Sequence, residues 1–395
     1  MKKIYMDYAA TTYVDPLVRK EMDRYFSDEF GNPGSFNSFG LNAKNAVSNA
    51  RSRIANILGC NDNEIIFTGS GTESINLAIK GVARALKKKG NHIITQKTEH
   101  DAVLKTCEYL EEEGFEVTYL DVDRHGLIDI KNLESEIKKN TILITIMYAN
   151  NEIGTIQPIK DIARIAKKYN VLFHTDACQA ASFLEIDVRK LDVDLMTLNG
   201  SKIYAPKGIG ILYLKYGVPI VPIIHGGGQE FGLRSGTENV PGIIAIAKAL
   251  ELVQKEKNDE ITRLSRLRDM LIDGLQKNIK KTILNGHPKT RLPNNVNVSI
   301  LDVEGESLLM HLNEEGICTA TGSACTSRDL EASHVLLAIG LPAEAAHGSI
   351  RFTLGRKTTE DDIKKVISVM PKMVETLRMI SPVKIEIDET KWAKN

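Results

Sequence analysis

Lys202 follows an apolar run at 195–198 and precedes the glycine-flanked turn of APKGIG. Asp176 closes a second apolar run, VLFHTD, about one helical crossover upstream. A lysine amine can form a Schiff base with an aldehyde, and a carboxylate can hold a ring nitrogen protonated so that the ring accepts electrons. At two strand ends of a parallel sheet, this pair is the layout that pyridoxal phosphate needs. The plainer alternative is two solvated surface charges.

Further residues sit where strands should end. Gly69-Ser70-Gly71-Thr72 follows EIIFT and opens a helical stretch, so backbone N–H groups and a helix N-terminus could meet a phosphate. The run is neither a Walker A sequence nor GxGxxG, and a serine-capped helix after a tight turn explains it equally well. His100 in KTEH could stack on a planar cofactor and move protons, or simply be a hydrogen-bonded loop histidine. The amides of Asn151 and Gln179 suit a carboxylate or a phenolic oxygen, and equally a turn. Cys325 lies in TATGSACTS (319–327), a small polar stretch that reads as a mobile loop, where an accessible thiolate could exchange sulfur. An incidental cysteine fits the local residues as well. Arg351, in the apolar context GSIRFTLGR, suits bidentate capture of a carboxylate or a structural ion pair.

Holding these residues together requires a regular frame. Candidate strands at 64–68, 92–95, 116–120, 142–147, 171–175, 195–198 and 210–214 alternate with candidate helices at 72–88, 101–113 and 159–168. Apolar strands separated by helices predict a mainly parallel sheet covered on both faces, with ligands at the carboxyl ends of its strands. Two helices are expected next, over 242–255 and 256–280, followed by mixed strands and helices. The predicted organisation is a large domain of residues 15–255 and a smaller α+β domain formed by 1–14 and 256–395.

At 395 residues the chain has ample length for such a core. Its 51 basic residues balance 51 acidic ones, which argues against a general nucleic-acid or anionic-membrane footprint. No apolar run approaches the length of a membrane span, and MKKIYMDYAATT lacks the apolar core of a signal peptide. Five scattered cysteines without a CxxC pair argue against a disulfide framework and a zinc site, and fit a reducing cytoplasm.

The constellation resembles the cysteine desulfurases of the NifS/IscS type, fold-type I pyridoxal phosphate enzymes. The matching stretches are MDYAATT, FGNPGS, FTGSGTES, KTEHDAVL, YANNEIGTIQP, HTDACQA, SKIYAPKGIG, HGGGQEFGLRSGTENVPG, LPNNVNVS, GSACTS and SIRFTLGR. They keep the family's order and span essentially the whole chain. The resemblance implies a fold-type I transferase, with a mainly parallel seven-stranded sheet in the large domain and a smaller α+β domain carrying the cysteine loop. It implies that Lys202 holds the cofactor and later removes the substrate Cα proton. Asp176 would pair with the pyridine nitrogen, Gln179 with the phenolate oxygen, and His100 would stack on the ring. Gly71, Thr72, Asn199 and Ser201 would surround the phosphate, joined by Thr237 of a second subunit in a homodimer. Asn151 and Arg351 would hold the substrate carboxylate, and Cys325 would take the sulfur as a persulfide.

The reaction implied by the resemblance is conversion of L-cysteine to L-alanine. The sulfur would pass to an iron–sulfur scaffold protein or another acceptor, with tRNA thiolation a further destination and no direct contact with nucleic acid. No resident metal is implied, although Cys325 is a candidate transient cluster ligand. Selenocysteine lyase and a weakly active scaffold-binding protein are the alternatives. Departures occur at Asn199-Gly200-Ser201, where relatives have serine-glycine-histidine, and at Asn37, where a histidine is common. The first removes a cationic donor to the phosphate and implies weaker cofactor affinity. The tail SPVKIEIDETKWAKN differs enough to leave the scaffold partner's identity open.

Overall fold

The computed structural model describes residues 3–322, 332–381 and 385. In chain order the strands begin with β1 (Ile4–Tyr5), followed by β2 (Ile65–Thr68), β3 (His92–Gln96), β4 (Glu116–Leu120) and β5 (Thr141–Thr145). Next come β6 (Leu172–Asp176), β7 (Leu195–Asn199), β8 (Gly210–Leu214) and β9 (Thr282–Leu284). The last are β10 (Asn295–Ile300), β11 (Ile317–Cys318) and β12 (Ser349–Thr353).

Seven of these form one sheet in the order β2-β8-β7-β6-β5-β3-β4. Only β8 runs against the rest, pairing antiparallel with both β2 and β7. The burial patterns explain the arrangement. Strands β2, β3, β5 and β8 are buried at every residue, as strands covered on both faces must be. Strand β4 is half-exposed and polar, which suits an edge. The opposite edge is sealed differently: Arg51 donates to the Ile65 carbonyl and pairs with Glu230, whose Oε2 accepts the Phe67 N–H at 2.7 Å. A buried ion pair thus completes the hydrogen bonds that a missing neighbouring strand would have made.

Helices cover both faces. The helix Gly71–Leu86 starts where the Ser70 side chain accepts the Glu73 N–H. It buries Ile75, Ala78, Ile79 and Val82, one stripe at helical spacing, against the sheet. A second, antiparallel sheet β12-β10-β9 and the parallel pair β1-β11 build the remainder, around a separate core that includes Met6, Val296, Ile350, Phe352 and Ile363.

One sequence expectation fails. The two helices expected at 242–255 and 256–280 are a single helix, Val240–Asn278, of 39 residues. The charged run around 255–260 suggests a break, yet it contains neither proline nor glycine and only turns solvent-facing residues outward. The helix contributes Val240–Val253 side chains to the core of the large sheet and, from Leu264 onward, side chains to the second core.

Candidate active site

Strands β2, β3, β5, β6 and β7 point the same way, so the segments leaving their carboxyl ends gather along one edge of the sheet. Between these segments and the chain's first residues lies a cleft with a cavity volume of about 220 Å³. It is lined by Gly71, Thr72, His100, Asn151, Asp176, Gln179, Asn199, Lys202 and Arg351. Residues widely separated in sequence therefore converge as expected. Ala9, Ala10, Ile75, Met147, Ala149 and Cys178 complete the lining.

Lys202 ends a short 3-10 turn, Gly200–Lys202, directly after β7. Just beyond it Tyr204 takes a left-handed backbone conformation, φ 67°, held by its N–H to Thr12 Oγ1 at 2.8 Å. Such a conformation costs an aromatic residue roughly 1–3 kcal/mol, offset here by burial and by Arg356 stacked 4.3 Å above the ring. The strained turn presents Lys202 to the cleft, where Nζ donates to the carbonyls of Ala9 at 2.8 Å and Ala10 at 2.6 Å. Burial lowers its pKa from the ordinary lysine value, and the nearby Arg351 charge pushes the same way.

Asp176 is the last residue of β6 and is buried. One carboxylate oxygen accepts the Cys178 N–H at 2.9 Å, and among the described residues no cation pairs with it. His100 caps the helix Asp101–Glu112: Nδ1 accepts the Ala102 N–H at 3.0 Å, which assigns the proton of the neutral ring to Nε2. The Gln179 amide donates to Ala9 O at 3.0 Å, the same carbonyl that receives Lys202.

Arg351 has features of both roles open to it. Its guanidinium pairs with Asp7 at 2.8 Å and donates to Asn151 O at 3.1 Å, yet it also lines the cleft and its Nε is buried without a partner among the described residues. Ser201 is buried behind the lining, its N–H and hydroxyl 3.4 and 3.5 Å from Asn199 Oδ1. Thr237 is exposed and lines no part of its own chain's cleft. Asn37, at the position where relatives often carry histidine, caps the helix Ser38–Leu58 by accepting the Gly40 N–H at 2.9 Å. Cys325 lies outside the described residues.

The donor set suits pyridoxal phosphate. A buried carboxylate without a cation matches a pyridinium N–H, and an amine of lowered pKa matches an aldehyde. The floor at the helix start is built for close approach, since a Cβ on Gly71 would lie 2.9 Å from Cys178 Sγ and 3.2 Å from Asn199 Cβ. The sequence assigns no role to Ala9 and Ala10, although MDYAATT stands out as a motif. Backbone carbonyls carry no side-chain signature.

Comparison with known proteins agrees with this geometry. Residues 4–366 match the Aminotransferase class-V family. A cysteine desulfurase IscS of Dictyoglomus turgidum is 51% identical over 385 residues, covering 98% of each chain. A solved NifS-like protein superposes with a TM-score of 0.89 at 38% identity, covering 96% of this chain and all of that one. A structure described as SspA in complex with cysteine gives a TM-score of 0.78 at 38% identity, covering 89% of this chain and 99% of the other. The chain thus belongs to the aminotransferase class-V family, among the cysteine desulfurases of the NifS/IscS type.

Proposed function

We propose that this protein converts L-cysteine to L-alanine and delivers the sulfur to Cys325 as a persulfide, using pyridoxal phosphate. The observation that carries the reading is the meeting, in one cleft, of the Lys202 amine, the Asp176 carboxylate, which forms no ion pair among the described residues, and the Arg351 Nε, which has no partner among them.

Lys202, its ammonium destabilised by burial, offers its amine to hold the cofactor and then takes the proton from the substrate Cα. Asp176 accepts the ring N–H, His100 covers the ring, and Gly71 with Thr72 opens the helix whose N-terminus receives the phosphate. Pyridoxal phosphate, when bound, supplies the electron sink for the charge left on Cα. Asn151 and Arg351 receive the substrate carboxylate. Cys325 thiolate bonds to the substrate sulfur as the Cβ–S bond breaks. The electron pair left on carbon takes up a proton, so cysteine and thiol become alanine and persulfide.

Residues 15–255 serve as the cofactor-holding domain, and 1–14 with 256–395 as the smaller one, a division supported by the change of core along the helix Val240–Asn278. Two copies form the working unit, with Thr237 of one completing the phosphate site of the other. The exposure of Phe26, Phe30, Phe36 and Phe39 supports an apolar face that a second copy covers. A cytoplasmic setting is supported by the free thiols of Cys60, Cys107, Cys178 and Cys318. No helix among the described residues is long and apolar enough to cross a membrane. An iron–sulfur scaffold protein or another sulfur acceptor takes the persulfide sulfur onward.

Alanine and persulfide formation from L-cysteine by cofactor-reconstituted wild type and Cys325→Ser tests the reading. Turnover that collapses in the variant is expected. Equal turnover in both would move sulfur release off Cys325 and favour a lyase acting on cysteine or selenocysteine.

A further inference from the structure

Glu152 is buried, 1% exposed, immediately after the substrate-facing Asn151. It lies neither in the lining of the cleft nor in an ion pair among the described residues. Its Oε2 accepts the Ser333 hydroxyl at 2.5 Å. A Cβ placed on Gly322 would lie 3.5 Å from the same oxygen and 3.4 Å from Ser333 Cβ. Gly322 and Ser333 are therefore neighbours in space, and the ten residues between them, 323–332, include Cys325. The carboxylate sits beside the two residues that flank that segment, its neck.

Other bonds tie the same neck to the cleft. Ahead of it, Ala320 exchanges two backbone hydrogen bonds with Arg351, at 2.7 and 3.2 Å, and the Thr319 hydroxyl donates to Arg351 O. Beyond it, the His334 ring lies 2.9 Å from Glu99 O, next to His100 in the chain. Glu152 itself cannot shift freely. Its N–H donates to Asn150 Oδ1 at 2.8 Å, and its carbonyl accepts from Asn295 at 3.0 Å and Asn297 at 3.1 Å. Three peptide links separate Gly322 from Cys325, a tether of at most about 11 Å, so the neck's position limits which points the thiol can reach.

We infer that Glu152 is a positioning residue: its carboxylate, accepting the Ser333 hydroxyl beside Gly322, ties the end of the Cys325-bearing segment to the stretch after β5 that carries Asn151, helping to set the origin of the thiol's reach relative to the bound substrate. The inference rests on the desulfurase reading for its consequence, but the clamp is a property of the chain alone. Glutamine at 152 keeps an oxygen for the Ser333 hydroxyl, whereas alanine removes the acceptor of its O–H and leaves only the Leu336 N–H that the hydroxyl oxygen accepts.

Full-length wild type, Glu152→Ala, Glu152→Gln and Ser333→Ala are compared in three measurements. Cofactor absorbance during titration with L-cysteine reads substrate capture, and mass spectrometry after a single turnover reads sulfur on Cys325. Tryptic nicking after Arg328 of the native, cofactor-free chain reads the neck without chemistry. Glu152→Ala is expected to capture cysteine with a half-saturation within about twofold of wild type. It is expected to transfer sulfur about tenfold more slowly or worse, as small misplacements of reacting groups do. Its nicking is expected to be several-fold faster, with Glu152→Gln recovering most of the transfer and Ser333→Ala following Glu152→Ala. Ser333→Ala carries the same test if Glu152→Ala does not fold. Unchanged nicking, transfer at the wild-type rate, or capture falling in step with transfer would overturn the clamp. Wild type that puts no sulfur on Cys325 would sink the desulfurase reading, and nicking would still judge the clamp.

Discussion

Arg351 and Asp7 form a buried ion pair, Nη2 to Oδ1 2.8 Å, that joins the second strand-rich core to the chain's N-terminal segment at the rim of the cleft. Removing one partner of such a pair leaves the other charge uncompensated, at a cost of about 3–5 kcal/mol. Asp7→Ala should therefore lower unfolding free energy by an amount of that order and raise KM for L-cysteine through a displaced Arg351. Arg351→Lys should preserve folding better, yet raise KM about tenfold, because an ammonium cannot span Asp7, Asn151 O and a carboxylate together. Denaturant titration with steady-state kinetics separates the two effects.

The lowered pKa of Lys202 has a definite sign. Burial favours the neutral amine, so cofactor uptake should reach its plateau at a lower pH than that of an ordinary lysine. The rate of cofactor recapture measured across pH checks this. A plateau no earlier than for a free lysine side chain would contradict it. Lys202→Ala should lower turnover by about a thousandfold or more.

Gly71 gives a packing test. Gly71→Ala puts a methyl group 2.9 Å from Cys178 Sγ and 3.2 Å from Asn199 Cβ, and should weaken cofactor binding. Cys178→Ala in the same chain should recover part of the loss, because the sulfur is only one of the two obstacles. A double-mutant cycle on cofactor dissociation constants reads the coupling, and strict additivity would show that the sulfur is not the obstacle.

His174 lies in β6 with its ring nitrogens 2.8 Å from Thr145 Oγ1 and 3.0 Å from Thr197 Oγ1. Burial pushes its pKa from 6.5 to about 4. The folded state keeps it neutral while the unfolded chain takes up a proton below 6.5. Its stabilising contribution is therefore complete above 6.5 and is lost as pH falls toward about 4, a change of about 3 kcal/mol. Denaturation midpoints of wild type and His174→Gln between pH 7 and 4 should diverge in this sense.

Glu99 acts at the other end of the scale. Burial raises its pKa to about 8, although Oε1 accepts from Met147 N and Gln96 Nε2. Its folded value exceeds the ordinary 4.5, so its contribution is complete below 4.5 and falls as pH rises through about 8. Glu99→Gln should therefore gain stability relative to wild type as pH rises, measured by unfolding at pH 6 and pH 9.

Much of the frame is legible in the sequence because buried strands announce themselves: IIFT, TILIT and GILYL are built mainly of apolar residues, and HIITQ has an apolar pair at its centre. The convergence of Lys202, Asp176, His100 and Asn151 follows from placing each after a strand of the large sheet, whereas Arg351 joins them from the middle of β12 in the other sheet. Other features leave no trace. Charge alone does not break a helix, which is why 240–278 runs on. Carbonyls such as Ala9 O act without a side chain. Cys178 reads as a small buried residue, because only the turn after β6 brings its sulfur to the lining. Glu152 has no periodicity or motif chemistry to mark it, and its role emerges from residues 170 and 181 positions away.

The exposure of Thr237, away from the cleft of its own chain, has a genetic consequence in the proposed dimer. A Thr237→Ala lesion would injure the neighbour's cleft and spare its own, whereas Lys202→Ala injures only its own. In a mixed dimer of the two variants both injuries fall on the same cleft. The other cleft has its lysine and is served by an intact loop. Two inactive proteins, co-expressed, should complement one another, and neither should do so with a second copy of itself.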